Sequence, residues 1–431
     1  MSWKHFSTRS RSLSLNEASA LQARHQTGFR LYNSKVRALE PFVPLEVGVA
    51  RIYVCGVTPY DVGHLGHALV YVVQDTLHRW LEFNGYDVHH IQNITDIDDD
   101  MVRKSKEQGI TIPALTEQNH EIFLSEMDAL NVQRPESFPL VSGHMPQIIE
   151  MVSALEAKGF AYEVGGHVFF DTSKTEAFGV LAGYTREGLR SAPRTDTMPD
   201  EPEHLKHDGL DFLLWKPSED EDAMFESPWG VGRPGWHIEC SAMARATLGD
   251  QIDIHGGGSD LAYPHHDSEI VQMESVTGKV PYVGYWVHNG TMQLDGVKMS
   301  KSLGNLVKVH ELLDEGHTAD AARLTLLMTH YRKDRDFNRE QLASAEEDVA
   351  LFRRAADSTN GGTEQLRAQP FRNAFMDAMD NDLDTPSAIG ALRQLAQEVE
   401  SGQVASTTGA PAIMELASVL GLTLGYETSE R

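Results

Sequence analysis

The sequence predicts an α/β protein with a parallel-sheet core, an inserted α+β region and a C-terminal helical bundle. Three observations predict it. A strand–turn–helix–strand unit occupies residues 49–95, a similar unit resumes near residue 231, and apolar residues keep helical spacing from about 308 onward. Two strands joined by a helical crossover pair in parallel, so the first two observations imply one parallel sheet built in two halves.

In chain order, residues 1–28 are polar, with Lys4, Arg9, Arg11 and Arg24 against the single acid Glu17. They lack an apolar signal core and an amphipathic face, so a disordered leader is expected. "FRLYNS" and "VARIYVCG" join β-branched and aromatic residues between turn formers and read as strands. "ALVYVVQDTLHRWLEFNGY" (68–86) has helical spacing and stops at Asn84-Gly85; "DVHHIQNIT" (87–95) is the next strand. "DIDDD" (96–100) opens another helix, where acids suit the positive helix end. Residues 29–119 thus read as the first half of a Rossmann-like parallel-sheet core. Residues 120–230 are rich in Pro, Gly and acids, with a helical stretch near 144–158 and strands near 161–171, and read as an inserted connective region. The core resumes over 231–307, where "GWHIEC" reads as a strand ending at Cys240 and "QIDIHGGGSD" as a strand and glycine-rich turn. Residues 308–431 read as a helical bundle with breaks near Gly361-Gly362 and Gly402, and the tail "GYETSER" is expected to fray.

Composition bounds the function. The chain has 431 residues, 41% hydrophobic and 23% charged, which suits a globular protein of two or three domains. It has no apolar run long enough to span a bilayer, so no membrane association is expected. A net charge of −26 disfavours non-specific binding to nucleic acid. The only cysteines, Cys55 and Cys240, cannot form a disulfide framework and suit a reducing cytoplasm. Taken singly, each is ordinarily a small apolar core residue.

Three constellations carry chemistry. "HLGH" (64–67) lies where a strand gives way to a helix, whose unpaired N–H groups favour phosphate. Gly66 lets a nucleotide approach the backbone, and His64 and His67 can reach the same phosphates. "KMSKS", made of Lys298, Met299, Ser300, Lys301 and Ser302, places two lysines on a short Ser-containing loop able to close over a triphosphate. Third, Cys55 ends a core strand shortly before His64, Cys240 ends "GWHIEC", and His265 and Glu269 follow the glycine-rich turn. His265 and Glu269 are spaced to share a helix face. Two thiolates, an imidazole and a carboxylate make a zinc site. Zinc prefers a thiol to a hydroxyl, so an open position there selects cysteine over serine.

HLGH and KMSKS together resemble the signature of class I aminoacyl-tRNA synthetases. From about residue 29 to 400 the chain resembles their cysteine-activating branch, through "YVCG", "QNITDIDD", "SPWGVGRPGWHIECSAM", "HGGGSDLAYPHH", "DGVKMSKSLGNL" and "DNDLDTP". The resemblance implies a ligase that uses ATP with Mg2+ to make cysteinyl-AMP, with one zinc ion per chain. Cys55, Cys240 and His265 resemble zinc ligands, and Glu269 occupies the fourth ligand position of cysteinyl-tRNA synthetases. Gly56, Val57, Thr58, Asn93, Ile94, Thr95 and Trp236 resemble contacts to cysteine or its adenylate. Gly258, Ser259 and Asp260 resemble the adenosine turn, and His64, Gly66, His67 and Lys298 to Ser302 the phosphate site.

That branch also holds a mycothiol-biosynthesis ligase, which joins cysteine to the amine of glucosaminyl-inositol. "CGVTPYD" and "HLGHA" resemble its forms of two motifs, and acids outnumber bases after residue 302, a poor grip for RNA phosphates. Glu269 and the absence of an ERGGDP string point to cysteinyl-tRNA synthetase. On balance an amino-sugar acceptor is expected ahead of tRNA, in a cytoplasmic monomer.

Overall fold

The computed structural model describes residues 28–61, 63–192, 202–299, 303–361 and 367–425. Most of the expected leader, most of the tail, and Ser300, Lys301 and Ser302 lie outside these residues.

An antiparallel ribbon, β1 (Arg30–Asn33) and β2 (Ala38–Pro41), precedes the core. β3 (Val49–Val57) leads into helix α1 (Leu65–Phe83) and β4 (Asp87–Ile94). Helices α2 (Asp99–Gln108), α3 (Ile112–Ala129) and α4 (Met145–Ala157) follow. Next comes a separate antiparallel sheet of β5 (Ala161–Val164), β6 (His167–Phe170), β7 (Phe212–Pro217) and β8 (Gly232–Pro234). The chain re-enters the core through α5 (Trp236–Leu248), β9 (Ile252–Gly258), α6 (Asp267–Thr277) and β10 (Val283–Asn289). The core sheet has the order β10-β9-β3-β4, and all its pairings are parallel.

Strand β3 is buried on both faces, as a strand between helical layers must be. Ala50, Ile52 and Val54 join a cluster with α1 and the C-terminal helices. Tyr53 and Cys55 point the other way, into a cluster with α5, α6 and the inserted sheet. The period of two therefore decides which layer receives the thiol.

Two expectations are corrected. "GWHIEC" is not a strand: the strand ends at Pro234, Gly235 is the helix N-cap, and Cys240 lies in the first turns of α5. A short apolar run does not distinguish strand from buried helix. The turn needs glycine, since a Cβ on Gly235 would lie 2.1 Å from the Leu213 carbonyl oxygen. In addition, residues assigned to the insertion complete the core: Ser137 and Leu140 bridge to Ile91 and Ile94 beside β4. Pro139 disguises this segment as a loop, because it cannot donate to a ladder.

After β10, a small sheet joins β11 (Met292–Leu294) antiparallel to β12 (Val297–Lys298) and parallel to β13 (Arg335–Asp336). Among the described residues that follow, the helices are α7 (Val309–Asp314), α8 (Ala319–Leu327), α9 (Arg339–Ala356), α10 (Gln369–Asp380), α11 (Thr385–Glu400) and α12 (Ser406–Val419). They dock on α1 around a buried ion pair of Arg323 with Asp75, both at most 1% exposed. Burial raises the Asp75 carboxyl, but Arg323 and Arg79 overcome this and hold it below the usual range. Among the described residues, no helix is long and apolar enough to cross a membrane.

Candidate active site

The site forms at the carboxyl ends of the parallel strands, where such sheets bind ligands. Register puts Tyr53 of β3 opposite His255 of β9, and His255 opposite Trp286 of β10. Moving along each strand by two residues adds Cys55, Gly257 and His288 to the same face. Helices α5 and α6 cover that face; α5 adds Cys240, the helical turn Ala262–His266 just before α6 adds His265 and His266, and α6 adds Glu269.

The structure brings Cys55, Cys240, His265 and Glu269 together, with one ligand atom from each within 4.8 Å of the others. Cys55 Sγ lies 3.7 Å from Cys240 Sγ and 3.8 Å from Glu269 Oε1. His265 Nε2 lies 3.3 Å from Glu269 Oε1. Cys55, His255, His266 and Glu269 form an overlapping set. Burial, followed by the bond to Cys240, pushes the Cys55 thiol well up. Burial and the neighbouring histidines hold His266 well below its usual range, and His288 falls to about 3. These rings are therefore neutral at physiological pH, the form that binds metals.

The donor set fits zinc. Glu269 is fully buried, and its partners among the described residues are imidazoles and a thiol rather than Lys or Arg. A cation at this point would compensate a carboxylate and thiolates that are otherwise costly to bury. His237 Nδ1 lies 3.0 Å from His265 Nδ1. When His265 donates there, its Nε2 keeps a lone pair facing Glu269.

The sequence reading missed His237, His255, His266 and His288. The signal was period-two alternation: His255 and His288 share the face of Cys55 on neighbouring strands, and this emerges only once strand order is known.

Gly56 belongs beside the cluster because its N–H donates to Asn93 Oδ1 at 2.8 Å and a Cβ would overlap the Asn93 carbonyl oxygen. Asn93 Nδ2 donates to Thr95 Oγ1, and Thr95 N–H donates to the Val57 carbonyl. Ile94 is buried in β4, and Thr58 O accepts the Tyr60 N–H. Trp236 stacks on His265 with ring centroids 4.1 Å apart.

At the other end of the site, His64 caps α1 by accepting the Gly66 N–H at 3.0 Å, and its ring stacks on His67 at 4.1 Å. A Cβ on Gly66 would meet the His64 ring at 2.7 Å. Gly258, Ser259 and Asp260 follow β9, and Asp260 Oδ2 pairs with Lys298 Nζ at 2.8 Å. The lysine strand is thereby brought against the glycine-rich turn. Met299 is buried, and its N–H donates to the Met292 carbonyl.

Comparisons with known proteins agree with this fold. Residues 41–347 match the tRNA synthetases class I (C) catalytic domain, and residues 374–425 match the DALR domain. A Cysteine--tRNA ligase of Dehalococcoides mccartyi is 43% identical over 401 residues, covering 92% of this chain and 86% of that protein. One from Cupriavidus taiwanensis is 42% identical over 397 residues, covering 91% and 84%. The methionyl-tRNA synthetase of Mycobacterium tuberculosis, solved with methionyl-adenylate, shares the fold with a TM-score of 0.61 at 18% identity, over 86% of this chain and 90% of that one.

Proposed function

The chain belongs to the class I (C) tRNA synthetase family, a ligase family, and from that premise we propose that it activates L-cysteine with ATP and transfers the cysteinyl group to tRNA. The observation that carries the reading is the buried Cys55, Cys240, His265 and Glu269 cluster beside an α1 N-terminus able to take phosphate. The relatives named Cysteine--tRNA ligase support tRNA as acceptor. The amino-sugar acceptor that the motif details favoured finds no such support. The strings "CGVTPYD" and "HLGHA" are too short a signal to outweigh similarity over nine-tenths of the chain. Moreover, residues 374–425, within the stretch read as a helical bundle, match a DALR domain.

Cys55, Cys240, His265 and Glu269 would hold one zinc ion. Zinc there supplies a coordination position that takes a thiol and refuses a hydroxyl. Gly56, Val57, Thr58, Asn93, Ile94, Thr95 and Trp236 line the place of the cysteine. Gly258, Ser259 and Asp260 take the adenosine, and His64, Gly66 and His67 take the phosphates at the start of α1. The Lys298–Asp260 pair is half exposed and therefore weak, so a triphosphate accompanied by Mg2+ can draw the lysine away. Lys301, beside Met299, Ser300 and Ser302, is assigned the same role as Lys298.

The cysteine carboxylate oxygen attacks the α-phosphorus, and the bond to pyrophosphate breaks. A ribose hydroxyl of the tRNA then attacks the carbonyl carbon, and AMP leaves. Catalysis comes from positioning and charge stabilisation, without an enzyme nucleophile.

The test offers enzyme, ATP and cysteine together with tRNA or glucosaminyl-inositol. Consumption of tRNA is expected. Consumption of the amino sugar alone overturns the acceptor, and lack of cysteine-dependent pyrophosphate exchange overturns the whole reading.

A further inference from the structure

Asp382, in the string "DNDLDTP", occupies the turn between α10 and α11, far along the chain from HLGH, KMSKS and the metal donors. It is 2% exposed, and both it and Leu383 have positive φ, 60° and 52°. Consecutive non-glycine residues in this region persist only where surroundings enforce them. Here the enforcement is visible. Asp382 Oδ1 accepts the Tyr32 N–H at 2.8 Å and the Tyr331 O–H at 2.7 Å. Its Oδ2 accepts the Arg332 Nε–H at 2.7 Å, and its own N–H donates to the Arg30 carbonyl at 2.9 Å. The Arg332 guanidinium also lies over the Tyr32 ring, 4.2 Å from its centroid. One carboxylate thus joins the helical region, the N-terminal ribbon and the segment 330–332.

That segment is the base of the lysine hairpin. The Tyr331 carbonyl accepts the Gly290 N–H, and a Cβ on Gly290 would lie 2.4 Å from Lys333 backbone. Asp334 Oδ1 accepts from both the N–H and the hydroxyl of Thr291. Arg335 donates its N–H to Thr291, Phe337 donates to Gln293, and Gly296 donates to Asp336 Oδ2. β11 then carries β12, and so Lys298, by antiparallel pairing. An unbroken chain of short bonds runs from Asp382 to Lys298, whose partner Asp260 lies across the site.

We propose that Asp382 is a positioning residue for cysteine activation, setting the hairpin so that Lys298 meets the phosphates of ATP. The proposal rests on the assignment of Lys298 to the phosphate site. An amide at this position keeps the shape but replaces one accepting oxygen by a donor, which then faces donors already in place.

The experiment uses the full chain with Asp382→Asn, Lys298→Ala and the double variant. In substrate-free enzyme, amide hydrogen exchange over 290–299 is expected to accelerate in Asp382→Asn while the bundle helices keep their protection. In pyrophosphate exchange, kcat is expected to fall about tenfold, with KM for ATP raised and KM for cysteine unchanged. In the Lys298→Ala background, the same change is expected to cost less than about twofold, because both act through one group. Unchanged hairpin protection, equal fold-losses in both backgrounds, or a raised KM for cysteine overturns the proposal. Should Asp382→Asn not fold, Tyr331→Phe removes one donor to the same carboxylate and must give the same pattern more weakly. A wild-type enzyme without exchange activity defeats the proposed function, and hairpin protection then decides whether Asp382 sets the hairpin.

Discussion

Cys55, Cys240, His265 and Glu269 are at most 7% exposed and stand on β3, α5, the helical turn Ala262–His266 and the first turn of α6. Lys298 stands on a two-residue strand with its side chain 53% exposed, paired with a half-exposed Asp260. The contrast suits the roles proposed for the two ends. Choosing between sulfur and oxygen needs donors that cannot move, and packing on regular elements supplies that. Neutralising charge on phosphates needs cations that can leave one partner for another, and a surface ion pair, worth at most about 1 kcal/mol, permits it.

Breaking the buried end should have the largest effect. Cys240→Ser should lower zinc from about one ion per chain to a small fraction after dialysis, measured by elemental analysis, and abolish cysteine-dependent exchange. Full metal retention would remove Cys240 from the ligand set. Lys298→Ala breaks the exposed end: kcat for exchange should fall about 100- to 1,000-fold with zinc content and melting temperature unchanged. If zinc is lost as well, the two ends are not separable. His237→Ala tests how far the buried end depends on its support, and zinc affinity should weaken about 10- to 100-fold in a chelator competition. An unaltered affinity would mean that packing against Trp236 alone orients His265.

The smallest effect concerns Asp98, the N-cap of α2 just beyond β4. Burial, joined by Asp100 and Asp99, raises its carboxyl to about 6. Its unfolded value is about 3.9, so between about pH 4 and 6 the folded chain binds the additional proton. The stability this contributes is complete below about pH 4 and is lost as pH rises through about 6. Asp98→Asn keeps a good cap and should flatten that part of a denaturation profile. A profile identical to the wild type would show that Asp98 titrates normally.

Much of this contrast was legible in the residues. HLGH, KMSKS and the His265–Glu269 spacing are local strings whose chemistry follows from order and side-chain type. The missed parts are non-local. "GWHIEC" was misread because a short apolar run suits both a strand and a buried helix, and packing over Leu213 decides between them. His255 and His288 joined the cluster only through the order β10-β9-β3.

The sequence by itself determined the α/β class, the two ends of the site and the four candidate metal donors, because periodicity and motif spacing are properties of neighbouring residues. Tertiary structure alone decided which imidazoles surround those donors, that Lys298 rests on Asp260, and that Asp382 holds the hairpin from another domain. Each of these depends on bringing distant residues within a few ångströms, and strand register and domain docking set that proximity.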